Sequence, residues 1–440
     1  MKLFRGGIHP DDRKLSADSP IETLPPPAKA ILPLAHHTGS PAKPLVKAKD
    51  PVKVGQPVAE AGGFVSAWLH SPVSGKVTAI DHAPHASGLY LESIVIESDG
   101  LDERFEATPR DYKTMTPEEI LDVVKRSGVV GLGGASFPTH VKLSPPKEKP
   151  IDTIILNGCE CEPYLTCDHR VMLEETGAVL EGLAILMKAL NVNRGIVAIE
   201  ENKADAIRAL AEGATRHSGI EVRGVPTRYP QGGEKQLIYA LLRREVPSGG
   251  LPMHVGCVVQ NVQTAAAIRR AVIEDMPLVE RVVTVTGRVK TPKNLRVRIG
   301  TPIEALIQAA GGLEEDAAEI IGGGPMTGPS LYSLAFPVMK GTSGIVALSA
   351  AEAAARVTLP CIRCGRCIAA CPMGLMPTTL AQLAERQGDA AAGEIDGLHA
   401  MDCIECASCA YECPSKIELL QLMKLAKAVV RKAKAKAKTA

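Results

Sequence analysis

Cys361-Ile-Arg-Cys364-Gly-Arg-Cys367-Ile-Ala-Ala-Cys371-Pro372 is followed, later in the chain, by Cys403-Ile-Glu-Cys406-Ala-Ser-Cys409-Ala-Tyr-Glu-Cys413-Pro414. Each stretch is a Cys-x2-Cys-x2-Cys-x3-Cys-Pro run. Three thiolates on one tight loop can reach three irons of a cube, and the fourth cysteine points onward to the other cube. The spacing therefore assigns Cys361, Cys364, Cys367 and Cys413 to one [4Fe–4S] cluster. Cys403, Cys406, Cys409 and Cys371 take the second. Zinc sites use separated Cys-x-x-Cys pairs instead of four-cysteine runs ending in Cys-Pro. Two clusters on one small fold, here residues 351–425, should lie within tunnelling reach, which makes them a wire and not a catalyst.

Outward from the runs, the other cysteines are few: twelve in all, eight of them in these motifs. Such clustering in a reducing compartment points to metal or redox chemistry, not disulfides. The C-terminal stretch, 426–440, is rich in lysine and alanine. It reads as a solvated, frayed tail, with weak attraction to anionic lipid or an acidic partner as the alternative. The 440-residue length implies several domains. A net charge of +1 gives no sign of a nucleic-acid partner. No stretch reaches the ~18–20 apolar residues of a membrane span. Met1–Pro20 has no apolar signal region, so a cytosolic location, free or on the cytosolic face of a membrane, is expected.

Residues 279–350 open with the alternating run Val282-Val-Thr-Val-Thr-Gly287. Thr301-Pro-Ile-Glu-Ala-Leu-Ile-Gln-Ala-Ala-Gly-Gly312 then reads as a helix with proline near its start and glycine past its end. This resembles a β-grasp domain of the SLBB type. Residues 111–278 alternate strand-like runs (Ile151–Leu156, Gly195–Glu200) with helix-like ones (Arg170–Leu190, Ala204–Glu212), the pattern of an α/β domain. In residues 1–110 a proline-rich arm, 1–30, should lie extended on the body. It precedes short β runs between Pro44 and Glu97. The segments Gly55-Gln-Pro-Val-Ala-Glu-Ala61 and His70-Ser-Pro-Val-Ser-Gly-Lys-Val77 resemble the barrel-sandwich hybrid of biotinyl and lipoyl carriers. The modifiable lysine tip of those carriers is absent, so a structural β domain is expected. The fold class is thus multidomain α/β: a barrel-sandwich hybrid, an α/β flavin- and nucleotide-binding core, a β-grasp domain, and a helical dicluster ferredoxin-like domain.

Gly131-Leu-Gly-Gly-Ala-Ser-Phe-Pro-Thr139 could bring backbone N–H groups to a phosphate, although a glycine turn alone is weak evidence. It is followed by Asn157-Gly-Cys-Glu-Cys-Glu-Pro163, Asp168-His-Arg170, Tyr229-Pro-Gln-Gly-Gly-Glu234 and Gln260-Asn-Val-Gln-Thr264. This order resembles the NADH-binding flavoprotein subunit of respiratory complex I. With Phe4-Arg-Gly-Gly-Ile-His-Pro10, the tandem cysteine runs and Gly322-Gly-Gly-Pro-Met-Thr-Gly328, nearly the whole chain resembles the C subunit of the Rnf ion-translocating complexes.

The resemblance implies FMN and NAD(H) as cofactors beside the clusters. It places Gly131, Gly133 and Gly134 in the flavin-phosphate loop, with Lys142 contacting the flavin and Phe137 stacking near the nicotinamide. Asn157 would meet the flavin ring, and Glu160 and Glu162 would contact flavin and dinucleotide. Tyr229, Gly232 and Glu234 would form a second flavin-side loop; Asn261 and Thr264 would lie near ribityl and phosphate. Cys159 and Cys161 depart from the complex I pattern, which has an aspartate and a small residue there. With Cys167 they read as buried, unreactive thiols, an extra metal being the alternative. Cys257 reads as core, and His36, His37, His82 and His85 as surface groups.

A nicotinamide yields two electrons together and a cluster accepts one, so a flavin belongs between them. No catalytic acid or base is then required. The resemblance further implies an oxidoreductase subunit, peripheral on the cytoplasmic side of a bacterial inner membrane. Its partners would be membrane subunits, which translocate the ion, and a ferredoxin-like subunit. Competing expectations are a microcompartment cobalamin reductase, a subunit of a soluble bifurcating complex, and an iron–sulfur scaffold with no nucleotide site.

Overall fold

The computed structural model describes residues 4–85, 87–354 and 357–439. The first three residues of the expected arm, Ala86 of the β domain, residues 355–356 at the head of the ferredoxin-like segment and Ala440 of the tail lie outside the described residues. The protein has the multidomain α/β architecture expected, in four modules.

The arm is a strap with a strand in it. Ile8 bridges Tyr229 in antiparallel fashion, and strand β1 (Ile21–Thr23) joins the edge of the third module's sheet. The first module then folds from β2 (Lys29–Pro33), β3 (Lys43–Pro44), β4 (Pro51–Val52), β5 (Pro57–Glu60), β6 (Leu69–His70), β7 (Gly75–Pro84) and β8 (Tyr90–Ser98). Two sheets, β2-β8-β7-β4 and β3-β5-β6, enclose Leu32, Val58, Leu69, Val77, Ile94 and Ile96.

The second module begins with α1 (Pro117–Arg126), which starts where Thr116 and Glu119 form a capping box around Pro117. There follow α2 (Thr139–Lys142), β9 (Thr153–Gly158), α3 (Cys167–Glu174), α4 (Thr176–Ala189), β10 (Gly195–Glu200), α5 (Ala204–Ala214), β11 (Ile220–Val225), α6 (Glu234–Leu242), β12 (Cys257–Asn261) and α7 (Val262–Glu274). The helical pattern over Arg170–Leu190 is two helices, broken at Glu175. That carboxylate pairs with Arg270 and Arg296, tying the break to α7 and to the third module. The four strands are parallel, in the order β11-β10-β9-β12. Their apolar runs (Ile154, Ile155, Leu156; Ile196, Val197, Ile199) are buried on both faces, as helix-covered parallel strands require. From β9 the chain moves to β10 on one side, and β12 returns on the other. The strand order therefore reverses beside β9, and ligands bind at such a switch point, at the carboxyl ends of the strands.

The third module is built from β13 (Glu280–Gly287), β14 (Lys293–Arg298), α8 (Ile303–Ala309), β15 (Ala317–Gly322) and β16 (Gly344–Ser349), ending in α9 (Ala350–Ala353). Its sheet runs β1-β14-β13-β16-β15, the arm's strand being the fifth. Leu306, Ile307 and Phe336 pack into its core.

The fourth module comprises α10 (Arg366–Ala370), α11 (Pro377–Arg386), α12 (Ala392–Gly397), α13 (Ser408–Tyr411) and α14 (Leu419–Thr439). The tail is not frayed: it is the end of α14. The helix is nucleated inside the module by Leu419, Met423, Ala426 and Val430, which are buried. Further along, Lys432 reaches Asp389 at 2.6 Å and Lys434 reaches Asp396 at 2.8 Å. Helix propagation from a packed start needs no apolar face of its own. Among the described residues no helix is long and apolar enough to cross a membrane.

His36 and His37, expected at the surface, are buried. His37 Nε2 meets Ser66 Oγ and the Ala67 N–H inside the first module at 3.0 and 2.9 Å. His36 faces Lys340 of the third module, also buried, whose Nζ donates to the carbonyls of Trp68 and Gly128 at 2.7 Å each. The lysine backbone N–H donates to His36 Nδ1 at 3.3 Å. Burial holds both imidazoles neutral, His37 titrating down at about 4.

Candidate electron-transfer site

Asn157 and Asn261 are register partners at the carboxyl ends of β9 and β12, at the switch point. Asn261 caps α7: its Oδ1 accepts from the N–H of Gln263 and Thr264 at 2.9 and 3.3 Å. Thr264 Oγ1 accepts from the N–H of Leu132 at 2.9 Å, which pins the glycine loop to the start of α7. That loop is closed at its base by Gly131 N–H donating to the Phe137 carbonyl at 2.9 Å. Gly133, Gly134 and Ala135 are exposed, and among the described residues their amides donate to no protein acceptor. Three successive free amides beside a helix N-terminus are a phosphate cradle.

On the other flank Asn157 Nδ2 donates to the Gly232 carbonyl at 2.8 Å, and Asn157 Oδ1 accepts from Cys159 N–H at 3.0 Å. A Cβ on Gly232 would lie 2.5 Å from the Cys159 carbonyl oxygen. Lys142 bridges two loops, donating to Glu234 Oε1 at 2.8 Å and to the Val259 carbonyl at 3.1 Å. Phe137 is half-buried at the foot of the glycine loop. The residues picked from sequence thus converge on the ends of β9 and β12.

Glu160 and Glu162 belong to the same region but face elsewhere. Both Glu160 oxygens accept from N–H groups at the start of α3, those of Asp168 at 2.8 Å and His169 at 3.2 Å. Glu162 Oε2 accepts from Met326 N–H at 3.0 Å and Oε1 from the Thr327 hydroxyl, inside the Gly322–Gly328 turn of the third module. Burial pushes the Glu162 carboxyl up. From the arm, Lys14 Nζ gathers this loop by donating to the carbonyls of Glu160, Glu162 and Leu165 at 2.9, 2.7 and 2.7 Å.

Asp168 has no role that its sequence motif reveals. It accepts from Asn261 Nδ2 at 2.6 Å and from Gln263 Nε2 at 2.8 Å, so it orients the α7 cap. Burial, with Glu160 nearby, raises its carboxyl to about 6. Only the spacing of an acid one residue into a helix could have marked it. Glu160, Cys167 and Asp168 bring ligand atoms within 4.8 Å of one another. The carboxylate oxygens are occupied by the donors just named, and burial raises the Cys167 thiol strongly. Cys159 and Cys257 are likewise buried thiols, and Cys161 is partly buried.

Tyr229 connects this region to the fourth module. It is buried, pairs with Ile8 of the arm, and clusters with Ile8 and Ala370, a patch against which Cys161 and Cys406 pack. Gln236 of α6 donates to Met373 Sδ at 3.0 Å, and Ser248 and Gly249 donate to Asp402 at 2.5 and 3.1 Å. Behind this contact Cys371, Cys403, Cys406 and Cys409 line one cavity. Cys361, Cys364, Cys367 and Cys413 line a second. Each cavity holds three cysteines of one run and the fourth of the other. Among the described residues, no three of these eight thiols lie within 4.8 Å of one another. Sulfurs around a single tetrahedral zinc, at about 2.3 Å from the metal, would be closer.

The donor sets fit the groups expected. Eight thiols in two open cavities suit two cubes. On the flavin side Gln231 is fully buried with neither amide atom partnered, and Gln260 Nε2 is also unpartnered, among the described residues. Buried amides in this state call for a ligand or water.

Residues 124–270 match the Nuo51 FMN-binding domain and residues 360–417 the 4Fe-4S dicluster domain. Residues 2–101 match the RnfC barrel sandwich hybrid domain, and 282–330 the SLBB domain. The chain is 48% identical over 390 residues (88% of it, 85% of the relative) to the C subunit of the proton-translocating ferredoxin:NAD(+) oxidoreductase complex of Clostridium ljungdahlii. It is 45% identical over 388 residues (87% of each) to the C subunit of the Na(+)-translocating ferredoxin:NAD(+) oxidoreductase complex of Acetobacterium woodii. It is 45% identical over 384 residues (86% of it, 74% of the relative) to the C subunit of the ion-translocating oxidoreductase complex of Rhodobacter capsulatus. An NAD+-reducing [NiFe]-hydrogenase structure, air-oxidized, shares the fold at 18% identity and a TM-score of 0.50, over 71% of this chain and 63% of that one.

Proposed function

Since the chain belongs to the C-subunit family of the ion-translocating ferredoxin:NAD(+) oxidoreductase complexes, we propose that it exchanges electrons between NAD(H) and two [4Fe–4S] clusters through FMN, as a peripheral subunit on membrane partners. A flavin held here supplies the exchange between a two-electron carrier and one-electron acceptors. The free amides of Gly133, Gly134 and Ala135, with the α7 N-terminus behind Asn261 and Thr264, hold its phosphate. Gly131 closes that loop. Asn157, Gly232, Glu234, Lys142 and the buried amide of Gln231 form the wall for the ring, and Phe137 offers a face to the nicotinamide. Glu160 and Glu162 act by fixing the loop that carries Cys159 and Cys161, and Asp168 by fixing the α7 cap. No residue moves a proton: the chain's work is to hold, orient and shield.

The observation that carries this reading is the position of Tyr229. It lies in the flavin-side loop and packs with Ile8 and Ala370, Cys406 packs against that patch, and Cys406 lines the cavity of Cys371, Cys403 and Cys409, so this cavity is the one on the flavin side. That cluster is then proximal to the flavin and the one held by Cys361, Cys364, Cys367 and Cys413 distal. Because NAD(H) is drawn from the cytoplasm, the protein sits on the cytoplasmic face of its membrane.

The test is reconstitution of the full chain with iron, sulfide and FMN. Quenching of FMN fluorescence at one equivalent, together with EPR signals of two reduced [4Fe–4S] clusters, is expected. Intact clusters with no FMN quenching would leave only an iron–sulfur scaffold.

A further inference from the structure

The glycine loop belongs to the second module, but its carbonyl side is held from the first and the third. Arg281 Nη1, from the third module, donates to the Leu132 carbonyl at 3.2 Å. Gly341 of the same module lies so close that a Cβ there would fall 2.9 Å from the Gly134 carbonyl oxygen. From the first module, the Thr38 hydroxyl donates to the Ala135 carbonyl at 2.7 Å, and the Thr38 backbone N–H donates to the Ser136 carbonyl at 3.1 Å. A single residue thus takes up two consecutive carbonyls of the loop.

The consequence falls on the other side of each peptide. In a planar trans peptide the C=O of one residue and the N–H of the next point in opposite directions. Fixing the Leu132 carbonyl therefore aims the Gly133 N–H, and fixing the Ala135 carbonyl aims the Ser136 N–H. Like those of Gly133, Gly134 and Ala135, the Ser136 amide donates to no protein acceptor among the described residues. Ser136 has a φ of 48°, in the left-handed region, which is costly for a residue with a side chain. Thr38 holds it there from a fixed position. A Cβ on Gly39 would fall 2.0 Å from the Val65 carbonyl oxygen, and the Ser40 N–H donates to that oxygen at 2.9 Å.

We propose that Thr38 is a positioning residue for the flavin phosphate: it holds the carbonyl side of the glycine loop so that the amides of the loop, that of Ser136 included, face the ligand. The first module is then part of the flavin site, although it supplies no group that touches the flavin. The inference rests on the proposed function for the identity of the ligand. Its chemistry is specific to one end of that ligand. Amides aimed at a phosphate favour the phosphate monoester of FMN. Riboflavin is the same molecule without that group and offers them nothing to hold.

The experiment uses the full chain with both clusters in place and flavin removed. It is titrated anaerobically with FMN and, separately, with riboflavin, and quenching of flavin fluorescence reads both affinities. Thr38→Val keeps the shape and the backbone N–H and removes the hydroxyl. It should weaken FMN binding about fivefold, the worth of one hydrogen bond, and leave riboflavin affinity and cluster content unchanged. Thr38→Ser, which restores the hydroxyl, should bind FMN as the unaltered protein does. Thr78→Val removes another hydroxyl contact in the first module, the one from Thr78 to the Val95 carbonyl at 3.3 Å, and should change neither affinity. An FMN affinity unchanged in Thr38→Val, or a loss equal for both flavins, would overturn the proposal. An unaltered protein that binds no FMN would overturn the proposed function itself, and this inference with it.

Discussion

Gly232 has no room for a side chain, and the reason lies in one carbonyl. Its missing Cβ would sit 2.5 Å from the Cys159 oxygen, closer than real contacts allow. Gly232→Ala must therefore push the Tyr229–Glu234 loop off Asn157. We expect FMN affinity to fall about tenfold or more, read by fluorescence titration, while cluster content is kept. Lys340 makes a prediction of a different kind. Burial lowers its amine to about 7 from 10.5. The unfolded chain then binds more protons between those values, so this residue's contribution to stability rises with pH through that window. Lys340→Met leaves the Trp68 and Gly128 carbonyls unpaired and removes the titration. The stability of the unaltered protein relative to the variant should grow by about 1–3 kcal/mol from pH 7 to 9 in urea unfolding; an unchanged difference would show that the amine stays charged. At this scale the sequence is legible where a residue's role is local. The cysteine spacing and the caps can be read directly. That Glu160 turns its carboxylate into α3, that Asp168 holds the α7 cap, and that His36 and His37 are interior cannot, because each depends on a neighbour brought in by the fold.

Among the elements, the arm couples the modules most directly. Gly7 N–H donates to the Ala370 carbonyl at 2.8 Å, Ile8 pairs with Tyr229, Lys14 collects three carbonyls of the acid loop, and β1 closes the edge of the third sheet. Gly6, with φ of 71°, lies against the fourth module so closely that a Cβ would fall 2.4 Å from the Cys371 carbonyl oxygen. Gly6→Val is expected to leave FMN reduction by NADH intact and to slow the following cluster reduction about tenfold, since tunnelling falls steeply with distance; stopped-flow absorbance separates the two phases. Lys14→Met strands three acceptors and should cost about 1–3 kcal/mol in denaturant unfolding. The alternation of strands and helices in the second module is legible from apolar runs and glycines. The β1 pairing is not, because a three-residue strand has no periodicity of its own and its partner lies far away in sequence. The basic end of α14 escapes a sequence reading for the same reason: it stays helical because it extends from a buried start and finds Asp389 and Asp396.

Across the whole molecule, the Tyr229 cluster joins the flavin-side loops to Cys406, and Cys406 lines the cavity of Cys371, Cys403 and Cys409, while Cys361, Cys364, Cys367 and Cys413 line the second. The proposed route for electrons runs through these in that order. The direct measurement is an anaerobic titration of the FMN- and cluster-loaded protein with NADH, followed by absorbance and by EPR on samples frozen at intervals. Electron passage from NADH through FMN to the clusters requires that the flavin band bleaches and both cluster signals then appear, with the signals lost in samples prepared without FMN. Clusters that are reduced by dithionite but stay oxidised under excess NADH with FMN bound would contradict it.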